Sequence, residues 1–190
     1  MQTDYITAYL SGFNTSDLTA VSALLDSDLI FGVLLIAVML LGERRQEKIK
    51  KILMVLILAF VISTAAKELF KIPRPCADLL QSKIQCPKSY SFPSTHATLS
   101  FALALAFLNK RSYPAYLLFA IAVSFTRIYL FVHSLTDIAG GIVIAAISYY
   151  LVELATGEKG RDNKSGGNDE EVGREDKEDN GEIDGKKRTD

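Results

Sequence analysis

Residues 52–66 read ILMVLILAFVISTAA, a run of fifteen residues without a charged side chain. A helix built from this run is apolar on every side, whereas a surface helix of a soluble protein keeps one polar face. Four similar charge-free runs cover residues 29–42, 89–109, 112–126 and 138–152. Together the five runs predict an all-α bundle of membrane-spanning helices.

Four of these runs are shorter than the roughly 20 residues that a helix needs to cross a bilayer. Lys and Arg at the helix ends can extend them, because long basic side chains snorkel to the interface. A soluble bundle of core helices is the alternative, but it does not explain the missing polar faces. Residues 5–25 mix apolar and polar positions, which indicates an interfacial helix or a weak sixth span. The predicted organisation is therefore an interfacial segment (1–28), a transmembrane core (29–155) and a charged tail (156–190).

The tail differs from the rest of the chain in composition. From residue 156 onwards, Val172 and Ile183 are the two clearly apolar residues among twelve acids and eight bases. Such a segment cannot bury enough apolar surface to fold by itself, so we expect it to be disordered. Its acidic excess offsets a small basic excess in the core and leaves a net charge of -1. The chain has no strongly basic region of the kind that binds nucleic acids, so the sequence predicts no nucleic-acid partner.

Basic residues in short loops predict how the chain is oriented in the membrane. Five lie between the first and second runs and two between the third and fourth, namely Arg44, Arg45, Lys48, Lys50, Lys51, Lys110 and Arg111. Short loops rich in Lys and Arg stay in the cytoplasm. We therefore expect a multi-pass cell-membrane protein with a cytoplasmic tail and an outward-facing loop at residues 67–88. Cys76 and Cys86 in that loop can pair in an oxidising compartment, although two free thiols are equally compatible with the sequence.

Three polar clusters interrupt the apolar runs at ends that the predicted topology sends to the outer side. Ionisable groups at membrane depth are costly, and they mark functional sites by default. The first cluster contains Lys67 and, seven residues later, Arg74 followed by Pro75. A guanidinium fork and an ammonium group suit a phosphate, whereas the alternative is a snorkelling lysine at the membrane boundary.

The second cluster, Ser94, Thr95 and His96, opens the third run. Ser94 is a suitable N-cap, and the N–H groups of a helix N-terminus attract anions. His96 beside them can protonate a leaving oxygen. The alternative is an ordinary capped helix with an interfacial histidine.

The third cluster contains Arg127, His133, Ser134 and Asp137. Ser134 and Asp137 have the spacing of a capping box, which brings the Asp137 carboxylate back towards His133. A carboxylate bonded to one ring nitrogen leaves the other nitrogen free to attack phosphorus. The alternative is that Asp137 only completes the helix cap.

The three clusters resemble the signature of the type 2 phosphatidic acid phosphatase superfamily, which includes lipid phosphate phosphatases, soluble acid phosphatases and vanadium haloperoxidases. The family pattern is Lys-x6-Arg-Pro, then Pro-Ser-Gly-His, then Ser-Arg-x5-His-x3-Asp. Nine of its eleven positions match, with all spacings inside the clusters intact. Thr95 replaces the glycine and Thr126 replaces the first serine of the last motif. Because a β-branched residue avoids positive φ, we expect Thr95 to have an ordinary backbone conformation.

The resemblance implies a membrane enzyme that removes phosphate from a lipid without a metal ion or another cofactor. His133 would be the nucleophile that forms a phosphohistidine, Asp137 would orient it, and His96 would be the general acid. The phosphoryl oxygens would be held by Lys67, Arg74, Ser94, Thr95 and Arg127. The implied substrates are polyprenyl diphosphates such as undecaprenyl diphosphate, phosphatidylglycerophosphate or phosphatidic acid.

Two other functions are compatible with parts of the sequence. A lipid phosphotransferase would use the same phosphohistidine with an acceptor other than water. A non-enzymatic lipid or anion transport protein would need the bases for binding an anion, but it would not need His96, His133 and Asp137.

Overall fold

The computed structural model describes residues 4–78 and 83–165, and the side chains of residues 4–77 and 83–157. The described residues contain helices and connecting loops but no strand, which confirms the predicted all-α class. The helices are α1 (Tyr5–Ser11), α2 (Ser16–Asp26), α3 (Asp28–Gly42), α4 (Gln46–Phe70), α5 (Pro75–Asp78), α6 (Thr95–Ala106), α7 (Tyr113–Tyr129) and α8 (Leu135–Ser165).

The number of candidate membrane spans is smaller than the five predicted. Helix α4 and the Leu135–Gly157 part of α8 are long and apolar enough to cross a membrane. Helices α2 and α3 add a third candidate if this pair, bent by 84°, counts as one span. The run at 89–109 forms the short helix α6, whose twelve residues rise about 18 Å against a hydrocarbon core of about 30 Å. Five spans are therefore not confirmed, because part of the apolar sequence lies outside long helices.

Helix α6 lies at the centre of the bundle, packed against α3, α4 and α7. Its small residues Ala97, Ala102 and Ala104 are almost completely buried, which allows neighbouring helices to approach closely. By contrast, α4 exposes Ile57, Phe60 and other apolar side chains on its outer side. Apolar surfaces of this kind are stable in lipid and costly in water. The short α6 is thus enclosed by longer helices that face the bilayer.

The N-terminal segment predicted at 1–28 forms two short helices that pack against α7. Asp4 caps α1 by accepting a hydrogen bond from the Thr7 N–H at 2.7 Å. Helix α2 ends at Asp26, and Ser27 adopts an extended conformation before α3 begins. This elbow places the end of α2 and the start of α3 beside the polar clusters.

The two loops predicted to be cytoplasmic are joined at one end of the bundle. Glu43, after α3, forms an ion pair with Lys110, after α6. The Glu43 carboxylate also accepts hydrogen bonds from the Arg44 and Arg45 N–H groups at 3.1 and 3.0 Å. Beside this pair, the rings of Phe107 and Tyr116 stack with centroids 3.9 Å apart. The α3–α4 and α6–α7 loops therefore lie on the same side of the bundle, as the charge pattern predicts.

At the other end, the structure pairs Cys76 with Cys86 in a disulfide. Lys83, inside the closed loop, donates to the carbonyls of Ser11 at 2.8 Å and Tyr129 at 3.1 Å, and also to that of Phe13. Its ammonium also lies 3.4 Å from the centre of the Tyr129 ring. This loop fastens the N-terminal segment to the end of α7.

The chain divides after Val152 into two units, Met1–Val152 and Glu153–Asp190. Helix α8 continues beyond the predicted tail boundary at residue 156 and ends at Ser165. The predicted disorder of residues 166–190 concerns positions outside the described residues.

Candidate active site

The three polar clusters meet at one cavity of about 450 Å³. Lys67 and Arg74 come from the first cluster, Thr95 and His96 from the second, and Arg127 and His133 from the third. The remaining lining residues are Asp26, Asp28, Phe31, Phe60, Pro87, Ser89 and Leu99. Ser94 and Asp137, the other two predicted site residues, are buried next to this lining.

A tight turn between α7 and α8 positions His133. Phe131 has a φ of 61°, a left-handed conformation that is unfavourable for a bulky residue and is often retained at functional sites. The Val132 and His133 N–H groups both donate to the Arg127 carbonyl, at 3.3 and 3.4 Å. The turn therefore fixes the position of His133 relative to the end of α7. The spacing between Arg127 and His133 in the third cluster is the spacing that this turn requires.

The Asp137 carboxylate connects the start of α8 to His133. Its Oδ2 accepts a hydrogen bond from the Ser134 N–H at 2.7 Å, as expected for the acidic member of a capping box. The same oxygen lies 3.4 Å from His133 Nδ1 and accepts a hydrogen bond from the Ser91 hydroxyl. Asp137 thus caps the helix and also faces the imidazole. Its role as a helix cap therefore does not exclude a contact with His133.

Arg74 determines which nitrogen of His133 carries the proton. Its Nη1 lies 3.1 Å from His133 Nε2. Because a guanidinium can only donate, Nε2 must accept, and the proton of the neutral ring is on Nδ1 towards Asp137. Burial lowers the pKa of His133 to about 3, with the positive charge of Arg74 acting in the same direction and Asp137 opposing it. His133 is therefore neutral at pH 7, with the lone pair of Nε2 directed towards Arg74 in the lining of the cavity.

The two basic residues of the first cluster hold the backbone of residues 89–91. Lys67 Nζ donates to the Tyr90 carbonyl at 2.9 Å and the Ser91 carbonyl at 3.3 Å. Arg74 donates from Nε to the Ser89 carbonyl and from Nη2 to the Ser89 hydroxyl, both at 2.8 Å. This places Ser91, which the sequence analysis did not identify, between His133 and Asp137.

The N-terminus of α6 lies against the start of α8. The Ser94 N–H donates to the Asp137 carbonyl at 3.1 Å, while the buried Ser94 hydroxyl has no hydrogen-bond partner among the described residues. Gly141 permits this approach, because a Cβ there would lie 3.1 Å from the Ser94 carbonyl oxygen. Thr95 has no positive φ, as predicted, and its hydroxyl lies 3.2 Å from that of Ser63.

Arg127 is 1% exposed and is bound by protein groups on three sides. Its Nη1 donates to Asp26 Oδ1 at 2.7 Å, and its Nη2 donates to the Ser22 carbonyl at 3.3 Å. Its Nε lies 3.3 Å from the hydroxyl of Thr126, the residue that replaces the family's serine. Asp26 was missed by the sequence analysis, because no local pattern relates it to a residue 101 positions later.

His96 is 9% exposed, and its Nε2 has no hydrogen-bond partner in the described part of the chain. Its ring centroid lies 4.2 Å from that of Phe31. Asp28 Oδ1 lies 3.9 Å from Nε2, within ion-pair range but beyond a hydrogen bond. A buried polar atom without a partner is costly, and the His96 side chain lines the cavity, where it can approach a bound group.

Within residues 4–78 and 83–165, no three His, Cys, Asp or Glu side chains are arranged to hold a metal ion. The site contains instead three basic side chains, two histidines and buried hydroxyl groups. This arrangement can bind a phosphate through Lys67, Arg74 and Arg127, and it can present a neutral imidazole to the phosphorus.

A family model described as the PAP2 superfamily matches residues 48–161 and includes all three clusters. Sphingosine-1-phosphate phosphatase 2 of Mus musculus is 28% identical over 109 residues, which are 52% of this chain and 31% of that protein. The match therefore spans about a third of that relative. The Escherichia coli protein YbjG, provisionally named an undecaprenyl-diphosphatase, is 33% identical over 143 residues, with 70% of this chain and 72% of that protein covered.

Two solved structures have a fold similar to that of this chain. LpxE of Aquifex aeolicus has a TM-score of 0.65 and 25% identity, with 77% of this chain and 92% of that chain covered. The phosphatidylglycerolphosphate phosphatase of Bacillus subtilis has a TM-score of 0.59 and 22% identity, with 84% and 83% covered. The second likeness concerns the fold alone.

Proposed function

Because this chain belongs to the PAP2 superfamily, we propose that it hydrolyses a phosphomonoester or diphosphate of a membrane lipid through a phosphohistidine on His133. The observation that carries the proposal is the orientation of this imidazole. Its Nδ1 lies 3.4 Å from Asp137 Oδ2, and its Nε2 lies 3.1 Å from Nη1 of Arg74, which lines the cavity together with Lys67 and Arg127.

In the first step, the lone pair of His133 Nε2 attacks phosphorus, and the bond between phosphorus and the leaving oxygen breaks. Arg74 moves from Nε2 to a phosphoryl oxygen, which its fork can bind together with Lys67 and Arg127. Protonated His96 gives its proton to the leaving alcohol or phosphate. Phosphorylation of Nε2 gives the His133 ring a positive charge, and the Asp137 carboxylate stabilises it.

In the second step, water attacks the phosphorus atom and the P–N bond breaks. His96, now neutral, accepts a proton from this water, and inorganic phosphate leaves. His133 returns to its neutral form with the proton on Nδ1. Both histidines are then ready for another cycle, because each has regained its original proton.

The lining of the cavity favours a lipid as the substrate. Beside the polar groups, Phe31, Phe60 and Leu99 contribute apolar surface. Phe60 is 51% exposed on the outer side of α4, so an aliphatic chain can lie there while the phosphate occupies the basic end. We propose polyprenyl diphosphates and glycerophospholipid phosphates as the candidate substrates, with the site on the outer side of the cell membrane.

The purified full-length protein in detergent, incubated with a panel of these lipids in EDTA, tests the proposal. We expect phosphate release by the parent and a loss of at least about a thousandfold in His133→Ala, because the nucleophile is removed. Thermal unfolding shows whether the variant is folded. Phosphate release that persists in folded His133→Ala, or that requires a metal, would contradict the mechanism.

An added alcohol distinguishes hydrolysis from transfer to another acceptor. When glycerol is included in the same assay, a hydrolase still releases free phosphate, whereas a transferase produces glycerol phosphate. A folded parent that binds the lipids but turns over none would favour a transport protein.

A further inference from the structure

The first turn of α3 presents two groups to His96. Asp28 and Phe31 are three residues apart, so they lie on one face of the helix. Phe31 contacts the imidazole ring, and the Asp28 carboxylate lies 3.9 Å from Nε2, a buried nitrogen without a hydrogen-bond partner among the described residues. The elbow between α2 and α3 brings this turn to the cavity.

The other charges around His96 oppose its protonation. Lys67 on α4, Arg74 before α5 and Arg127 on α7 carry positive charges in the lining of the same cavity, which also contains the neutral His133 of the α7–α8 turn. Positive charges in the lining of the same cavity disfavour an imidazolium. A general acid, however, must carry a proton before it can give one.

Three carboxylates could offset these charges, and two of them, Asp26 and Asp28, line the cavity. Asp26 on α2 is engaged at 2.7 Å with Arg127. Asp137 is buried next to His133. Asp28 on α3 has a side chain that is 97% exposed and comes within 3.9 Å of the His96 Nε2 atom. Asp28 is therefore placed to act on His96.

We propose that Asp28 is a positioning residue that favours the protonated form of His96 and directs its Nε2–H towards the leaving oxygen, a role that rests on the proposed function of His96 as the general acid. His96 and Asp28 would then form a second histidine–carboxylate pair, like that of His133 and Asp137. The matched signature assigns no residue in this part of the chain. Because Asp28 is exposed, solvent screens its charge and the effect on His96 is moderate.

A purely structural role for Asp28 makes a different prediction. An acid in the first turn of a helix stabilises the helix dipole, so its loss would change stability without changing the titration of His96. The Asp28→Asn variant removes the charge, and Asp28→Glu retains it. Asp17→Asn, an exposed acid in the first turn of α2, is the matched control.

NMR of the two imidazoles in the detergent-solubilised protein measures the coupling directly. The chain contains only two histidines, so a His133→Gln variant assigns the resonances of His96. We expect Asp28→Asn to lower the titration midpoint of His96 by about half a pH unit or more, Asp28→Glu to restore it, and Asp17→Asn to leave it unchanged. An equal midpoint in the parent and Asp28→Asn would overturn the proposal.

The pH dependence of kcat tests whether the coupling serves the reaction. Activity that needs protonated His96 declines at high pH, and we expect this decline to begin at lower pH in Asp28→Asn, by the same interval as in the NMR titration. A shifted titration with an unshifted kcat profile would overturn the positioning role. If the parent hydrolyses no lipid, the proposed function fails, whereas the NMR titration still decides whether Asp28 acts on His96.

Discussion

Ser91 lies between His133 and Asp137, although no motif marks it. Its hydroxyl donates to Asp137 and lies 3.4 Å from His133 Nδ1, and the residue is fully buried. We expect Ser91→Ala to lower kcat by about tenfold, because a hydrogen bond to a charged group contributes about 1.5 kcal/mol or more. KM should change little, since Ser91 does not line the cavity.

Steady-state kinetics with the lipid that the parent hydrolyses measures this effect. Ser112→Ala, at an exposed serine before α7, is the control and should match the parent. An unchanged kcat in Ser91→Ala would show that Asp137 orients His133 without help from the serine.

Thr95 replaces the family's glycine without a strained backbone. It opens α6, and its hydroxyl contacts that of Ser63. We expect Thr95→Gly to lower the free energy of unfolding by about 0.5–1 kcal/mol, because glycine loses more backbone entropy on folding. Thr95→Ser keeps the hydroxyl and should be closer to the parent in Tm. A glycine variant as stable as the parent would contradict this account.

Between elements, the Glu43–Lys110 ion pair joins the α3–α4 loop to the α6–α7 loop. The hydrogen bond from Lys110, followed by that of the Arg45 amide, lowers the pKa of Glu43 from 4.5 to about 2. The folded state therefore favours the carboxylate. The stabilisation is fully present above about pH 4.5 and is lost as the pH falls from there towards about 2.

We expect Glu43→Gln to have a lower Tm than the parent at pH 7, and the difference should shrink as the pH falls below about 4.5. Thermal unfolding in detergent, from about pH 7 to about pH 3, measures it. Glu47→Gln is the control, because the Glu47–Lys50 pair is largely exposed and such pairs contribute little. A Tm difference that is independent of pH would show that packing, not charge, stabilises this contact.

For the whole molecule, the loop charges predict the orientation in the membrane. In a variant lacking both cysteines (Cys76→Ser, Cys86→Ser), we expect Ser112→Cys in the α6–α7 loop to be protected from an impermeant maleimide in intact cells, because this loop is predicted to be cytoplasmic. Gln85→Cys, in the opposite loop, should be labelled. The reverse pattern would invert the proposed orientation and place the site on the cytoplasmic side.

The apolar surface of the molecule agrees with this membrane setting. The short helix α6 packs against α3, α4 and α7 inside the bundle. The sequence predicted five spans from five apolar runs, because a charge-free run does not show where a helix begins and ends. The run at 89–109 was interpreted as a span for this reason.

The sequence by itself determined the helical class and part of the local geometry of the clusters. The Ser134–Asp137 cap and the ordinary φ of Thr95 depend on neighbouring residues, so spacing was sufficient to predict them. Tertiary structure alone decided which distant groups complete the site, including Ser91 on Asp137 and Asp26 on Arg127. These contacts join residues 46 and 101 positions apart, and they arise from helix packing, which local spacing does not specify.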